Sequence, residues 1–130
     1  MKRTIEICIP AFNEESVISE SARAILRVLR EMNLPCILTV VDNGSTDQTA
    51  NIARDIEGVS VLEIPIRGKG AAVVAASRRS SADFFGFIDA DLSADPEEIP
   101  VLLSCVESGD CDIAIGSRLL DMSKVDRGLS

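Results

Sequence analysis

The chain has 130 residues, of which 46% are hydrophobic, 13 are basic and 21 are acidic, so its formal net charge is -8. This acidic balance argues against a nucleic-acid-binding surface, and the lack of histidine excludes histidine-based triads and most zinc sites. The apolar runs are far shorter than the roughly 20 residues that span a bilayer, so we expect a soluble, cytoplasmic protein.

The length is that of one domain, and residues 1–130 are expected to form it. The cysteines lack the paired spacing of metal-binding or redox motifs. We expect all of them to be reduced thiols that act as small core residues: Cys8, Cys36, Cys105 and Cys111.

Strands and helices are predicted to alternate from the N-terminus onward. Residues 4–9 alternate in polarity, which predicts a strand that Pro10 stops. Residues 16–32 carry apolar side chains at helical spacing, and residues 36–41 are apolar enough for a buried second strand.

The second half of the chain continues this alternation. Ser45 and Gln48 have the spacing of a capping box, which predicts a second helix from there to about Glu57, before Gly58. Further strands are predicted at residues 59–64, 83–88 and 112–115, and further helices at residues 71–79 and 95–109. Such alternation implies an α/β fold, with three α/β/α layers around a mostly parallel sheet.

Polar residues collect in the loops that follow the predicted strands. In a parallel sheet the carboxyl ends of the strands meet at one edge, where open α/β sheets bind ligands. We therefore expect one binding site at this edge. Its loops are residues 10–15, 42–47, 67–70, 89–95 and 116–118.

The fourth predicted strand ends in Asp89-Ala90-Asp91, two carboxylates separated by one small residue. Alternate residues of an extended segment point the same way, so this pair is expected to hold Mg²⁺ or Mn²⁺ and, through the ion, two phosphate oxygens. The alternative is that both acids only solvate and cap the turn after the strand.

Three other residues suit a nucleoside diphosphate. Lys69 lies between two glycines at a helix start, Arg118 can pair with a diphosphate as a planar fork, and Asp42 is placed like the acid that binds ribose or base in dinucleotide folds. No GxGxxG or Walker A motif is present, which disfavours a nicotinamide or flavin cofactor. Taken alone, Lys69 is better explained as a solvated loop cation, and Asp42 is equally consistent with a turn residue.

Four motifs cover nearly the whole chain: IPAFNEE at residues 9–15, VDNGSTD at 41–47, DADLS at 89–93 with DPEEIP at 95–100, and IGSR at 115–118. Together they resemble the family-2-type inverting glycosyltransferases, which have a nucleotide-diphosphosugar transferase (GT-A) fold. Within that family the chain is most similar to the dolichol-phosphate mannosyltransferase and polyprenyl-phosphate glucosyltransferase group. The family domain normally continues past the arginine motif, so the resemblance implies a fold that is incomplete at the C-terminus.

The resemblance implies a role for each matching residue. Asp89, Asp91 and Arg118 would be catalytic, and Asp89, Asp91 and Ser93 would be metal ligands. Asn43 departs from the family pattern, which has a second acid at this position. The nucleotide-sugar-binding residues would be Pro10, Ala11, Phe12, Asn13, Glu14, Asp42, Asn43, Lys69, Asp89, Ala90 and Asp91.

The implied reaction is transfer of a hexose, mannose or glucose, from a GDP- or UDP-sugar to a polyprenyl or dolichyl phosphate, with inversion and with Mg²⁺ or Mn²⁺ as cofactor. A lipid-phosphate acceptor implies peripheral membrane association at the cytoplasmic face or a partner subunit. Two alternatives stay open: a fragment that binds nucleotide sugar without catalysis, and transfer to a sugar hydroxyl, which needs a carboxylate base. A phosphoacceptor receiver domain would need an acid pair after the first strand, where this chain has Asn13-Glu14-Glu15.

Overall fold

The computed structural model describes residues 3–65, 67–93 and 95–108. The predicted fifth strand, Cys111 and the motif that contains Arg118 lie outside the described residues. Strands and helices alternate as predicted. The elements are β1 (Ile5–Ala11), α1 (Ile18–Glu31), β2 (Cys36–Asp42), α2 (Thr49–Arg54), β3 (Val59–Glu63), α3 (Lys69–Arg79), β4 (Phe84–Phe87) and α4 (Glu98–Glu107).

The four strands form one parallel sheet in the order β3-β2-β1-β4. Alternate residues of β1 face opposite sides, so Ile7 and Ile9 pack in a cluster with α1, α2 and α4, whereas Cys8 packs with α3. The three-layer α/β/α prediction is therefore confirmed. No helix of the described residues is both long and apolar enough to cross a membrane.

The prediction that Pro10 stops the first strand is wrong, because β1 continues through Pro10 to Ala11. The Cys8 carbonyl accepts a hydrogen bond from Ile88 N–H at 3.0 Å, so the backbone N–H and C=O of Cys8 point towards β4. The backbone of Pro10, two residues on, points towards the same neighbouring strand, but the ladder with β4 has already ended at Phe87. The missing N–H of Pro10 therefore costs no hydrogen bond in the sheet.

The second helix is shorter than predicted, since α2 begins at Thr49 and the capping box does not form. Ser45 Oγ accepts a hydrogen bond from Asn13 N–H in the loop after β1, and Gln48 Oε1 accepts one from Asn51 Nδ2. The same side chain cannot serve both as a helix cap and as a partner for another loop.

The cysteines differ from one another in state. Cys8 and Cys36 have free thiols, and burial, followed by the charge of Glu6, raises the pKa of Cys8 to about 12. Cys105 is in a disulfide bond, so the expectation of a reduced thiol is wrong at this position.

Candidate functional site

The site lies where the strand order reverses. The chain moves from β1 outward to β2 and β3, then crosses back to place β4 on the other side of β1. Open α/β sheets bind ligands in the crevice outside the carboxyl ends of the strands at such a reversal. The loops after β1 and β4, which carry two of the motifs, therefore border the crevice.

A cavity of about 480 Å³ opens at this edge of the sheet. It receives residues from the loops after all four strands. Its lining residues are Pro10, Ala11, Phe12, Glu14, Asn43, Arg67, Gly68, Lys69, Asp89, Ala90 and Asp91. Most of the predicted nucleotide-sugar-binding residues are thus brought together. Asn13, Asp42 and Ser93 are outside this lining.

The two acids of the DXD motif are presented by a turn, and the expectation of an extended segment is wrong. Leu92 N–H donates to the Asp89 carbonyl at 3.0 Å, and Leu92 has a φ of 53°. Ser93 supports both acids, since its N–H donates to Asp91 Oδ1 at 3.0 Å and its hydroxyl lies 3.4 Å from Asp89 Oδ2. Ser93 therefore holds the two carboxylates in a fixed relation from outside the cavity.

Lys69 pairs with the first of these acids. Its Nζ lies 3.0 Å from Asp89 Oδ1, and the side chain is 56% exposed. Lys69 is the first residue of α3, directly after Gly68, whose φ of 113° is in the region that favours glycine. The ion pair places a cation from the loop after β3 beside an acid that follows β4.

Glu14 and Asp91 place negative charge in the same cavity, and neither forms an ion pair with a described residue. Desolvation, then the charge of Asp91, then that of Asp47, raise the pKa of Glu14. Asp91 Oδ1 accepts from Ser93 N–H, and no other described group donates a hydrogen bond to its carboxylate. A cation bound here would relieve the repulsion between Glu14 and Asp91.

The donor set fits a divalent metal that is shared with a ligand. Within residues 3–65, 67–93 and 95–108, no cluster of three or more acidic or cysteine side chains could hold a metal by itself. Mg²⁺ is commonly held by one or two carboxylates together with substrate phosphates. Asp91 and Asp89 can supply the one or two carboxylates that the protein contributes to such a site.

The loop after β1 is held by the loop after β2. Asn13, with a φ of 52°, donates its N–H to Ser45 Oγ at 2.8 Å and accepts from Thr46 N–H at 2.8 Å through Oδ1. Glu14 N–H donates to Thr49 Oγ1 at 2.8 Å. Asn13 therefore fixes the shape of the loop that carries Phe12 and Glu14, and does so from outside the cavity.

Two buried side-chain oxygens at the carboxyl end of β2 have no partner among the described residues. Asp42 is 4% exposed and Asn43 is 5% exposed, and Oδ1 of each accepts no hydrogen bond from a described residue. Buried acceptors are nearly always satisfied, so an unsatisfied one calls for a missing partner. Asn43 lines the cavity, where a donor group of a ligand can reach it.

Arg67 lines the cavity although it was not among the predicted site residues. Its guanidinium carbon lies 4.5 Å from the centre of the Phe12 ring. The sequence places Arg67 in a polar loop at the correct edge of the sheet. Its contact with Phe12 depends on how the loops after β1 and β3 approach each other, for which the sequence carries no signal.

Comparison with known proteins places the chain among sugar transferases. Agl6 of Haloferax volcanii, a hexosyltransferase of low-salt glycan biosynthesis, is 38% identical over 116 residues, covering 89% of this chain and 28% of that protein. A dolichol-phosphate mannosyltransferase of Pyrococcus furiosus is 32% identical over 126 residues, covering 94% of this chain and 35% of that protein.

A solved structure is similar to this chain in both fold and sequence. Glucosyl-3-phosphoglycerate synthase of Mycobacterium tuberculosis, crystallised with Mn²⁺ and uridine-diphosphate-glucose, superposes with a TM-score of 0.67 at 32% identity, covering 80% of this chain and 39% of that one. This chain therefore spans between 28% and 39% of the length of the three proteins. A model of glycosyl transferase family 2 matches residues 6–128. The chain belongs to glycosyl transferase family 2.

Proposed function

We propose that the chain binds a nucleoside diphosphate sugar together with a divalent metal, and that it takes part in transfer of the hexose, with inversion, to a lipid phosphate. The observation that carries the proposal is the cavity itself. An acid pair, a lysine and an aromatic ring meet there at the point where the strand order reverses. The relative crystallised with Mn²⁺ and a UDP-sugar supports this donor class.

Different residues of the cavity would bind different parts of the donor. Asp91 and Asp89 would hold the metal, which would neutralise the diphosphate. Lys69, at the start of α3, supplies a positive charge and a helix N-terminus beside the phosphates. Charge that develops on the departing diphosphate is stabilised by such preorganised groups. Phe12 would line the nucleoside pocket, and Asn43 would contact the nucleoside.

A lipid phosphate suits this chain as acceptor because the attacking oxygen is already an anion. No general base is then required, which agrees with a sequence that contains no histidine. The resemblance assigns Arg118 to a donor or acceptor phosphate, and the dolichol-phosphate mannosyltransferase among the relatives is consistent with a polyprenyl-type acceptor.

Calorimetric titration tests the donor site. The native chain is titrated with UDP and with GDP, each with and without Mn²⁺, beside Asp91→Ala and the control Asp55→Ala, which removes an exposed acid at the end of α2. We expect metal-dependent binding of one nucleotide, its loss in Asp91→Ala and its retention in Asp55→Ala. Unchanged binding by Asp91→Ala would refute the assignment of the metal site.

A binding module without catalysis is the second candidate, because this chain matches only 28% and 35% of the first two relatives. The two candidates differ in turnover. Release of nucleoside diphosphate is measured with and without a polyprenyl phosphate under conditions where the donor saturates the site. Acceptor-dependent release supports the transferase, whereas saturable binding without release supports the module. Release that requires a sugar hydroxyl would identify a glycan acceptor.

A further inference from the structure

Arg67 is a cation at the wall of the cavity that the proposed donor chemistry leaves unused. It is exposed, it follows β3, and it precedes Gly68. Arg67 is in neither of the ion pairs that join two described residues, Arg54 with Glu63 and Lys69 with Asp89. The Arg67 guanidinium instead lies over the Phe12 ring at 4.5 Å from its centre.

The loop after β3 therefore separates two cations. Lys69 pairs with the carboxylate of Asp89, whereas Arg67 lies over the ring of Phe12. Gly68 lies between them with a φ of 113°, in the region that favours glycine. The pair of Lys69 and Asp89 is thus suited to phosphate and metal, and the pair of Arg67 and Phe12 is suited to a flat apolar group.

The pair of Arg67 and Phe12 has the chemistry that recognises a nucleobase. A guanidinium is planar, it is weakly hydrated, and it stacks on aromatic faces. Bases stack readily on aromatic rings and on arginine planes. Asn43 adds an unpaired buried acceptor to the same cavity, which an N–H on the edge of a base can satisfy.

We propose that Arg67 is a specificity-determining residue that stacks on the nucleobase of the donor, with the Phe12 ring supporting the guanidinium from behind. This inference rests on the proposed function, since it assumes a nucleotide donor in the cavity. It divides the affinity for the donor into a base part, which depends on Arg67, and a diphosphate part, which does not.

The test compares ligands with and without a base. Native chain, Arg67→Ala, Arg67→Lys and the control Arg78→Ala are titrated with UDP, GDP and inorganic pyrophosphate, each with Mn²⁺. Arg78 is exposed in the last turn of α3, so its replacement makes the same change in charge away from the cavity. A thermal melt of each variant verifies that it is folded.

We expect Arg67→Ala to weaken binding of the preferred nucleotide by about tenfold, the usual scale for loss of one base stack, and to leave pyrophosphate binding within about twofold. Arg67→Lys is expected to restore little, because an ammonium is not planar. Phe12→Leu, which keeps an apolar side chain, is expected to weaken the nucleotide but not pyrophosphate.

Two results would overturn the role of Arg67 alone. Equal weakening of nucleotide and pyrophosphate would mean that Arg67 acts by charge on the phosphates, and no weakening of either would mean that it contacts only Phe12. Failure of the native chain to bind any nucleotide with Mn²⁺ would overturn the proposed function as well, so the two failures are distinguishable.

Discussion

Replacement of Thr49 by valine tests how firmly the two loops beside the cavity are joined. Thr49 is fully buried, and its hydroxyl accepts a hydrogen bond from Glu14 N–H at 2.8 Å and donates to Asp47 Oδ1. Thr49→Val keeps the shape of the side chain and removes both hydrogen bonds. Glu14, which lines the cavity, would then lose the hydrogen bond of its backbone N–H.

The expected loss of stability follows from these contacts. An N–H left unpaired in a partly buried position costs about 1–3 kcal/mol, and the hydrogen bond between the hydroxyl and Asp47 is lost in addition. We expect the free energy of unfolding to fall by about 2–4 kcal/mol. At roughly 4 °C per kcal/mol for a chain of this size, the midpoint of thermal unfolding should fall by about 8–16 °C.

Urea and thermal unfolding of native, Thr49→Val and Thr49→Ser protein measure this effect. Thr49→Ser keeps the hydroxyl and loses one methyl group, so it should cost only about 1 kcal/mol. A destabilisation below about 0.5 kcal/mol in Thr49→Val, or an equal loss in both variants, would show that packing and not the hydroxyl joins the loops.

Three further outcomes are expected. Because burial and neighbouring acids raise the pKa of Glu14, its charged form destabilises the metal-free fold. Glu14→Gln should therefore raise the melting temperature at pH 7, by a margin that shrinks as the pH falls through the raised pKa and vanishes below the unfolded value of 4.5. Desolvation raises the pKa of Asp47, but hydrogen bonds from Thr49 and Glu15 outweigh it and lower this pKa below its ordinary value. The ionised Asp47 thus stabilises the fold fully above the unfolded pKa of 3.8, and this stabilisation is lost as the pH falls through the lowered pKa of the folded state. Asp47→Asn should therefore flatten the decline of stability in acid, measured by urea titration from pH 2 to 6. Alanine at Gly58, which has a φ of 91°, should cost about 1 kcal/mol in urea unfolding, whereas alanine at Gly70, in α3 with open space around it, should stabilise by about 0.5–1 kcal/mol. A gain in stability at Gly58 would contradict the strain argument.

The sequence was sufficient for the fold class and for the edge of the sheet at which the cavity lies. Hydrophobic spacing separates α1 from β1 and β2 because a helix and a strand bury side chains at different periods. Alternation of the two kinds of element requires parallel strands, and parallel strands bring their terminal loops together. The cavity accordingly contains most of the residues proposed from the motifs, among them Phe12 and Asp91.

Only the tertiary structure decided which side chains at this edge contact one another. Ser45 fits a helix cap by its spacing, yet it bonds to Asn13 in another loop, because a local pattern carries no information about a distant competitor. The pairing of Lys69 with Asp89 and the stacking of Arg67 on Phe12 join loops after different strands. Their geometry follows from strand order and loop approach, which the packing of the whole sheet determines.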